Sequence, residues 1–77
     1  MPKPNDVIQL LENGDWEAAH SIVQSENSTF GSWAHGITHL IEGDAKNAKY
    51  WYTRACRAFP QDVDVQSEIQ ALKKLVL

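Results

Sequence analysis

The sequence predicts an all-α protein of about five helices, and three observations favour this fold class. Apolar residues recur every three to four positions along most of the 77 residues, which is the period of a helix that buries one face. Two Gly-Asp pairs, at positions 14–15 and 43–44, each combine a helix-ending residue with an N-cap residue. No segment is a credible β-strand. The hydrophobic content of 43% is sufficient for a packed core.

The first two helices meet at Gly14. Asp6 is a suitable N-cap for the first helix, which we expect to end at Asn13-Gly14, and Asp15 then caps the second. The apolar residues of both helices follow the helical period: Val7, Ile8, Leu10 and Leu11 in the first, and Trp16, Ala19, Ile22 and Val23 in the second.

The third and fourth helices follow a polar loop over residues 25–29. The third is expected from about Phe30 to Glu42, with Gly43 as the residue after its end. Asp44 then caps the fourth helix, which we expect to continue to Phe59-Pro60. The predicted apolar side of this helix comprises Ala48, Trp51, Tyr52, Ala55 and Phe59, and the opposite side comprises Tyr50, Arg54 and Arg57.

A last helix is expected, with Asp62 or Asp64 as its N-cap. Its apolar residues form a narrow stripe of Val65, Ile69, Leu72 and Val76. The whole chain of 77 residues is predicted to be one domain, near the lower size at which one core can hold a fold.

Composition excludes several classes of function. The net charge of −3 argues against a general nucleic-acid binder, which normally carries a basic stripe. The first residues are polar and no window approaches the ~18 apolar residues of a membrane span, so we expect neither a signal peptide nor a membrane partner. The single cysteine, Cys56, cannot form an internal disulfide, which favours a reducing compartment, the cytoplasm.

Two segments of the chain echo one another. Each contains a helix end, a Gly-Asp corner and an alanine in the next helix, and the corner glycines Gly14 and Gly43 lie 29 positions apart (43 minus 14). This spacing is within the range of helical solenoids. The second copy, roughly Phe30–Pro60, resembles the tetratricopeptide repeat (TPR) family. Gly36 matches the family's small residue in the first helix. The alanine, aromatic, second alanine and terminal proline of the second helix are matched by Ala48, Tyr52, Ala55 and Pro60.

The resemblance implies two helical hairpins, at about 6–26 and 30–60, followed by a capping helix at about 63–76. It also implies an interaction scaffold. The sequence departs from the family pattern at His35 and His39, where the family has an aliphatic and an aromatic residue, and it has fewer than three repeats. The string EGD-x2-NA-x-YWY-x-RA is also similar to that of small bacterial proteins with no assigned function, which implies a fold and no activity.

The histidine pair on the third helix is the main candidate for chemistry. His35 and His39 are four positions apart and Glu42 continues their face, a pattern that can chelate zinc or another transition metal. The alternative is that both histidines face the partner helix, pack on Trp51 or Tyr52 and hydrogen-bond locally. His20 is interpreted as a residue at the edge of an apolar face. No other cofactor is expected.

The opposite face of the third helix offers a different candidate. Trp33, Ile37 and Ile41 lie on its apolar side, which in the TPR register is the ligand surface. Either the first and last helices cover them, or they line a groove for a protein or peptide partner. In so small a protein we favour coverage by its own helices or by a second copy.

The fourth helix adds one exposed pair. Tyr50 and Arg54 are four positions apart, and a phenol and a guanidinium could together hold an anion, although such pairs are more often surface contacts. Cys56 falls on the apolar side and is predicted to be a buried, inert thiol. Nucleophile motifs and phosphate loops are absent, which favours a role other than catalysis.

These observations lead to three hypotheses. The first is a protein–protein interaction module that uses Trp33 and Ile37. The second is a small-molecule or metal site, with catalysis included, that uses His35, His39 and Glu42 beside Tyr50 or Arg54. The third is a homo-oligomer that associates through the stripe of the last helix.

Overall fold

Five helices and no strand are formed by the residues that the computed structural model describes, 3–62 and 64–76. The third helix is central, because it packs against each of the other four, and the fifth packs on the first and third. The predicted all-α fold of about five helices is therefore confirmed. The helices are α1 (Pro4–Glu12), α2 (Trp16–Val23), α3 (Thr29–Glu42), α4 (Ala45–Arg54) and α5 (Val65–Leu75).

Polar side chains cap the starts of four helices. Asp15 and Asp44 accept hydrogen bonds from the backbone N–H groups three residues ahead, as the sequence predicts. Asp64 accepts hydrogen bonds from the N–H groups two and three residues ahead at the start of α5, and Ser28 in the polar loop accepts one from the N–H three residues ahead at the start of α3. Asp64 is thus the N-cap of the last helix, which begins at Val65, while residue 63 of the predicted capping helix lies outside the described residues.

The prediction that Asp6 caps α1 is wrong. The helix begins three residues earlier, with Lys3 in the N-cap position and Pro4 next. Proline suits the first helical position, because its fixed φ is helical and the missing N–H would have no partner there. Asp6 lies in the first turn, where its negative charge still favours the helix dipole.

The ends of α3 and α4 share one hydrogen-bond pattern but use different residues. Each is a Schellman motif, in which two N–H groups beyond the helix bond back to carbonyls of its last turn. Gly43 takes the left-handed position after α3, with φ of 92°, as predicted. Cys56 takes it after α4, with φ of 59°, although residues with a β-carbon disfavour this conformation.

This second motif corrects two predictions. The fourth helix ends at Arg54 and does not reach Phe59-Pro60, because the left-handed Cys56 reverses the chain direction first. The Cys56 thiol is exposed and is not the buried thiol that the helical period predicts.

The two helical hairpins, α1–α2 and α3–α4, pack closely. Between α3 and α4, Gly36 lies under the ring of Tyr52, and a β-carbon at Gly36 would be 2.6 Å from that ring. A side chain at position 36 would therefore push the helices apart. This contact explains the small residue that the sequence places there.

Helices α1 and α5 cover the apolar face of α3. Trp33 and Ile37 are 1% and 0% exposed and belong to one core cluster with residues of all five helices and the segment after α4. The alternative of a compact bundle therefore holds, and the prediction that Trp33 and Ile37 line a partner groove is wrong.

The apolar stripe of α5 faces the same core. Ile69 and Leu72 are fully buried, and Val65 and Val76 pack against the cluster. Self-association through this stripe would require α5 to leave the core. Among the described helices, none has both the length and the apolar character needed to cross a membrane.

Candidate metal centre

Three histidines meet where α2 packs on α3. The four-residue spacing of His35 and His39 puts both on one face of α3, and α2 presents His20 to that face. One ring nitrogen from each lies within 4.8 Å of the others. The ring centres form a nearly equilateral triangle with sides of 4.5, 5.0 and 5.3 Å.

His35 is the most buried of the three. Its ring stacks on Trp51 of α4 with the centres 3.8 Å apart and an angle of 11° between the planes, and the residue is 4% exposed. Its Nδ1 is buried and has no hydrogen-bond partner among the residues that the structure describes. Burial, and then the nearby His20, His39 and Arg54, lower the pKa of His35 to about 4. The imidazole is therefore neutral at pH 7, which is the form that binds metals.

His39 is oriented by a carboxylate. Its Nδ1 lies 2.8 Å from Oε1 of Glu42, one helical turn ahead. When Nδ1 carries the proton and donates it to Glu42, the lone pair of Nε2 remains free. Metal-ligating histidines are usually held in this way by a carboxylate on the other ring nitrogen.

The structure changes the predicted ligand set. It brings His35 and His39 together as expected, but it adds His20 and puts Glu42 behind the ring of His39. A second group, His39, Glu42 and Asp44, also has donor atoms within 4.8 Å. Asp44 is already engaged there, since both its oxygens accept hydrogen bonds from Asn47 at the start of α4.

Sequence reasoning missed His20 because its position depends on how α2 packs against α3. The periodicity of α2 puts His20 beside the buried Ala19, and this was interpreted as the edge of an apolar face. The pattern gives the face of each helix, but it does not give the register between two helices. A signal did exist: all three histidines of the chain lie on α2 and α3.

Tyr50 and Arg54 are close together, as their spacing predicts. Both are exposed, and the Arg54 guanidinium donates to the Tyr50 hydroxyl at 3.4 Å, a long hydrogen bond. The guanidinium carbon of Arg54 also lies 5.1 Å from the ring centre of Trp51, the ring that stacks on His35. The pair is thus linked to the histidine cluster through Trp51.

Trp33 belongs to a partly buried polar network on the other side of α3. Glu68 of α5 accepts hydrogen bonds from Trp33 Nε1 at 3.3 Å and from the Tyr52 hydroxyl at 2.5 Å. Arg57 covers the indole, with its guanidinium carbon 3.8 Å from the ring centre. Burial and the Glu68 carboxylate raise the pKa of Tyr52 above its usual range, so its hydroxyl stays protonated and donates.

Comparison with known proteins adds no further assignment to this geometry. No family model, curated protein or solved structure is significantly similar to the chain.

Proposed function

We propose that this protein binds a divalent transition metal, zinc in the first place, through His20, His35 and His39. One observation carries the proposal: three imidazoles from two packed helices converge, with ring nitrogens within 4.8 Å of one another. Three nitrogen ligands are a common set for zinc.

The spacing of the rings supports three-histidine coordination. Three imidazoles that bind one tetrahedral zinc at about 2.0–2.1 Å have ring centres about 5 Å apart and nitrogens about 3.4 Å apart. The observed centres, at 4.5–5.3 Å, already match. The nitrogens lie within 4.8 Å of one another, and rotation of the side chains would bring them to the required distance.

The alternative, that the histidines serve only packing, leaves one buried atom of the cluster unexplained. Stacking on Trp51 accounts for the ring of His35 but leaves its buried Nδ1 without a partner. A buried unsatisfied polar atom costs about 1–3 kcal/mol, and an aliphatic residue would avoid that cost. A metal-binding role explains why a histidine is present in this position.

The test is a zinc titration by isothermal calorimetry on protein first treated with a chelator. We expect one zinc per chain, and His20→Gln should weaken binding about a hundredfold or more because it removes one of three ligands. The matched control is Ser21→Gln, which introduces the same residue at an exposed position of α2. Unchanged affinity in His20→Gln would contradict the proposal.

A TPR-like interaction module is the second candidate. The helical hairpins and the close Gly36–Tyr52 contact support the resemblance. Since Trp33 and Ile37 are core residues, a protein partner would use another surface. A groove of about 540 Å³ beside α5, with the exposed Leu75 on its edge, offers one.

This candidate has its own test, on any protein that copurifies with the tagged chain. Leu75→Lys should release that protein and leave the helical content unchanged. The control is Tyr50→Lys, the same change at another large exposed residue, on α4. A partner that is retained by Leu75→Lys, or lost equally in the control, would argue against this surface.

A further inference from the structure

The histidine cluster supplies three metal ligands and leaves a fourth position. The group of donor atoms that includes His20 and His35 has three members. Glu42 occupies Nδ1 of His39, and the two nitrogens of an imidazole point in different directions, so this carboxylate does not face a metal on Nε2. Asp44 is held by Asn47 as a helix cap. A tetrahedral ion bound by three histidines therefore needs a ligand that is not a side chain of this cluster.

A cationic side chain lies near the histidine cluster, on the far side of one shared contact, the Trp51 ring. The Arg54 guanidinium carbon is 5.1 Å from the Trp51 ring centre, which is 3.8 Å from the His35 ring centre, so Arg54 lies within about 9 Å of His35. Arg54 and Tyr50 are both exposed, so a ligand can reach them from solvent.

We propose that the fourth position binds an exchangeable oxyanion, a carboxylate or a phosphate, coordinated to the metal by one oxygen and bound by Arg54 through another. The inference rests on the proposed metal site. It joins the two groups that the sequence suggests separately, the histidines and the Tyr50–Arg54 pair. A planar guanidinium suits this role, because it can form two parallel hydrogen bonds to carboxylate or phosphate oxygens.

The chemistry of the set favours an anion over a neutral ligand. Three neutral imidazoles leave the full double charge on the ion, and Arg54 adds another positive charge nearby. Glu42 offsets part of this charge from behind His39. An oxyanion can engage the metal with one oxygen and the guanidinium with another, whereas a water would have to use its single oxygen for both.

The experiment uses the full chain loaded with one equivalent of Co²⁺, whose visible spectrum reports its coordination. Acetate and inorganic phosphate are titrated separately at constant ionic strength, which distinguishes a carboxylate from a phosphate ligand. We expect a saturable spectral shift with at least one anion. Arg54→Gln should weaken that anion about tenfold and leave cobalt affinity within twofold of the unmodified chain.

The matched control is Arg57→Gln, the same change at an arginine that contacts Trp33 instead of Trp51. It should leave anion affinity unchanged. A spectrum that responds to neither anion, or an equal effect of the two substitutions, overturns the oxyanion site while the metal site stands. Absence of a one-to-one cobalt spectrum before any anion is added overturns the metal site itself, and the anion site with it.

Discussion

The two faces of α3 carry buried polar groups that are satisfied to different degrees. On one face, Glu68 accepts hydrogen bonds from both Trp33 and Tyr52, so the indole N–H and the phenol hydroxyl both have a partner. On the other face, His35 stacks on Trp51 but leaves Nδ1 without a partner. Satisfied polar networks hold a fold together, whereas an unsatisfied buried group needs another explanation, such as a bound ion. The contrast indicates a structural role for the first face and supports the proposal of ligand binding at the second.

The largest effect is expected on the structural face. Trp33→Ala should reduce the free energy of unfolding by roughly 3–5 kcal/mol, because it leaves a cavity and removes a donor to Glu68. Urea unfolding followed by circular dichroism measures this change. The comparison is Trp51→Ala, at a partly buried residue of the histidine face, which should cost less. An equal loss in both variants would break the distinction between the faces.

The pH dependence of stability should come from the histidine face. The pKa of His35 is about 4 in the folded chain and about 6.5 unfolded, so the unfolded state binds more protons between these values. Stability is therefore complete above pH 6.5 and falls as the pH decreases, by roughly 2 kcal/mol between pH 7 and pH 5.

The charged groups that act on His35 are His20 of α2, His39 of α3 and Arg54 of α4. Urea unfolding at both pH values, with a chelator present, measures the effect. His35→Leu should remove the contribution of this residue. A metal-free protein that is equally stable at pH 5 and pH 7 would show that His35 can protonate in place.

Replacing the unsatisfied histidine should stabilise the metal-free fold. We expect His35→Leu to raise the free energy of unfolding by about 1 kcal/mol, because the gain from removing a buried unsatisfied nitrogen exceeds the lost stacking on Trp51. The same variant should lose zinc affinity. His39→Leu is the matched control: its Nδ1 has a partner, so we expect no gain in stability. Destabilisation by His35→Leu would indicate that the histidine serves packing.

The smallest effect concerns the end of α4, outside both faces. Cys56→Gly should stabilise the fold by roughly 0.5–1 kcal/mol, because glycine adopts the left-handed conformation without the strain of a β-carbon. Thermal unfolding under reducing conditions measures this gain in stability. Cys56→Ala keeps the β-carbon and should give no gain, so equal effects of the two changes would exclude relief of backbone strain.

The sequence predicts local features well and packing register poorly. Asp15, Asp44 and Gly43 are identified correctly, because caps and left-handed helix ends depend on a few neighbouring residues. The end of α4 is missed, since nothing in the sequence marks Cys56 as left-handed. His20 is missed for a different reason: its neighbours on α3 are 15 and 19 residues away, and helix packing alone brings them together.

The short length of α2 has a consequence for motion within the fold. An eight-residue helix is too short to be stable alone, so its order depends on contacts with α1 and α3. An ion bound by His20 and the two histidines of α3 would make the opening of α2 require the loss of a coordination bond. In the metal-free chain, the amides of α2 should exchange hydrogen faster than those of α3. With the metal bound, they should exchange as slowly as those of α3.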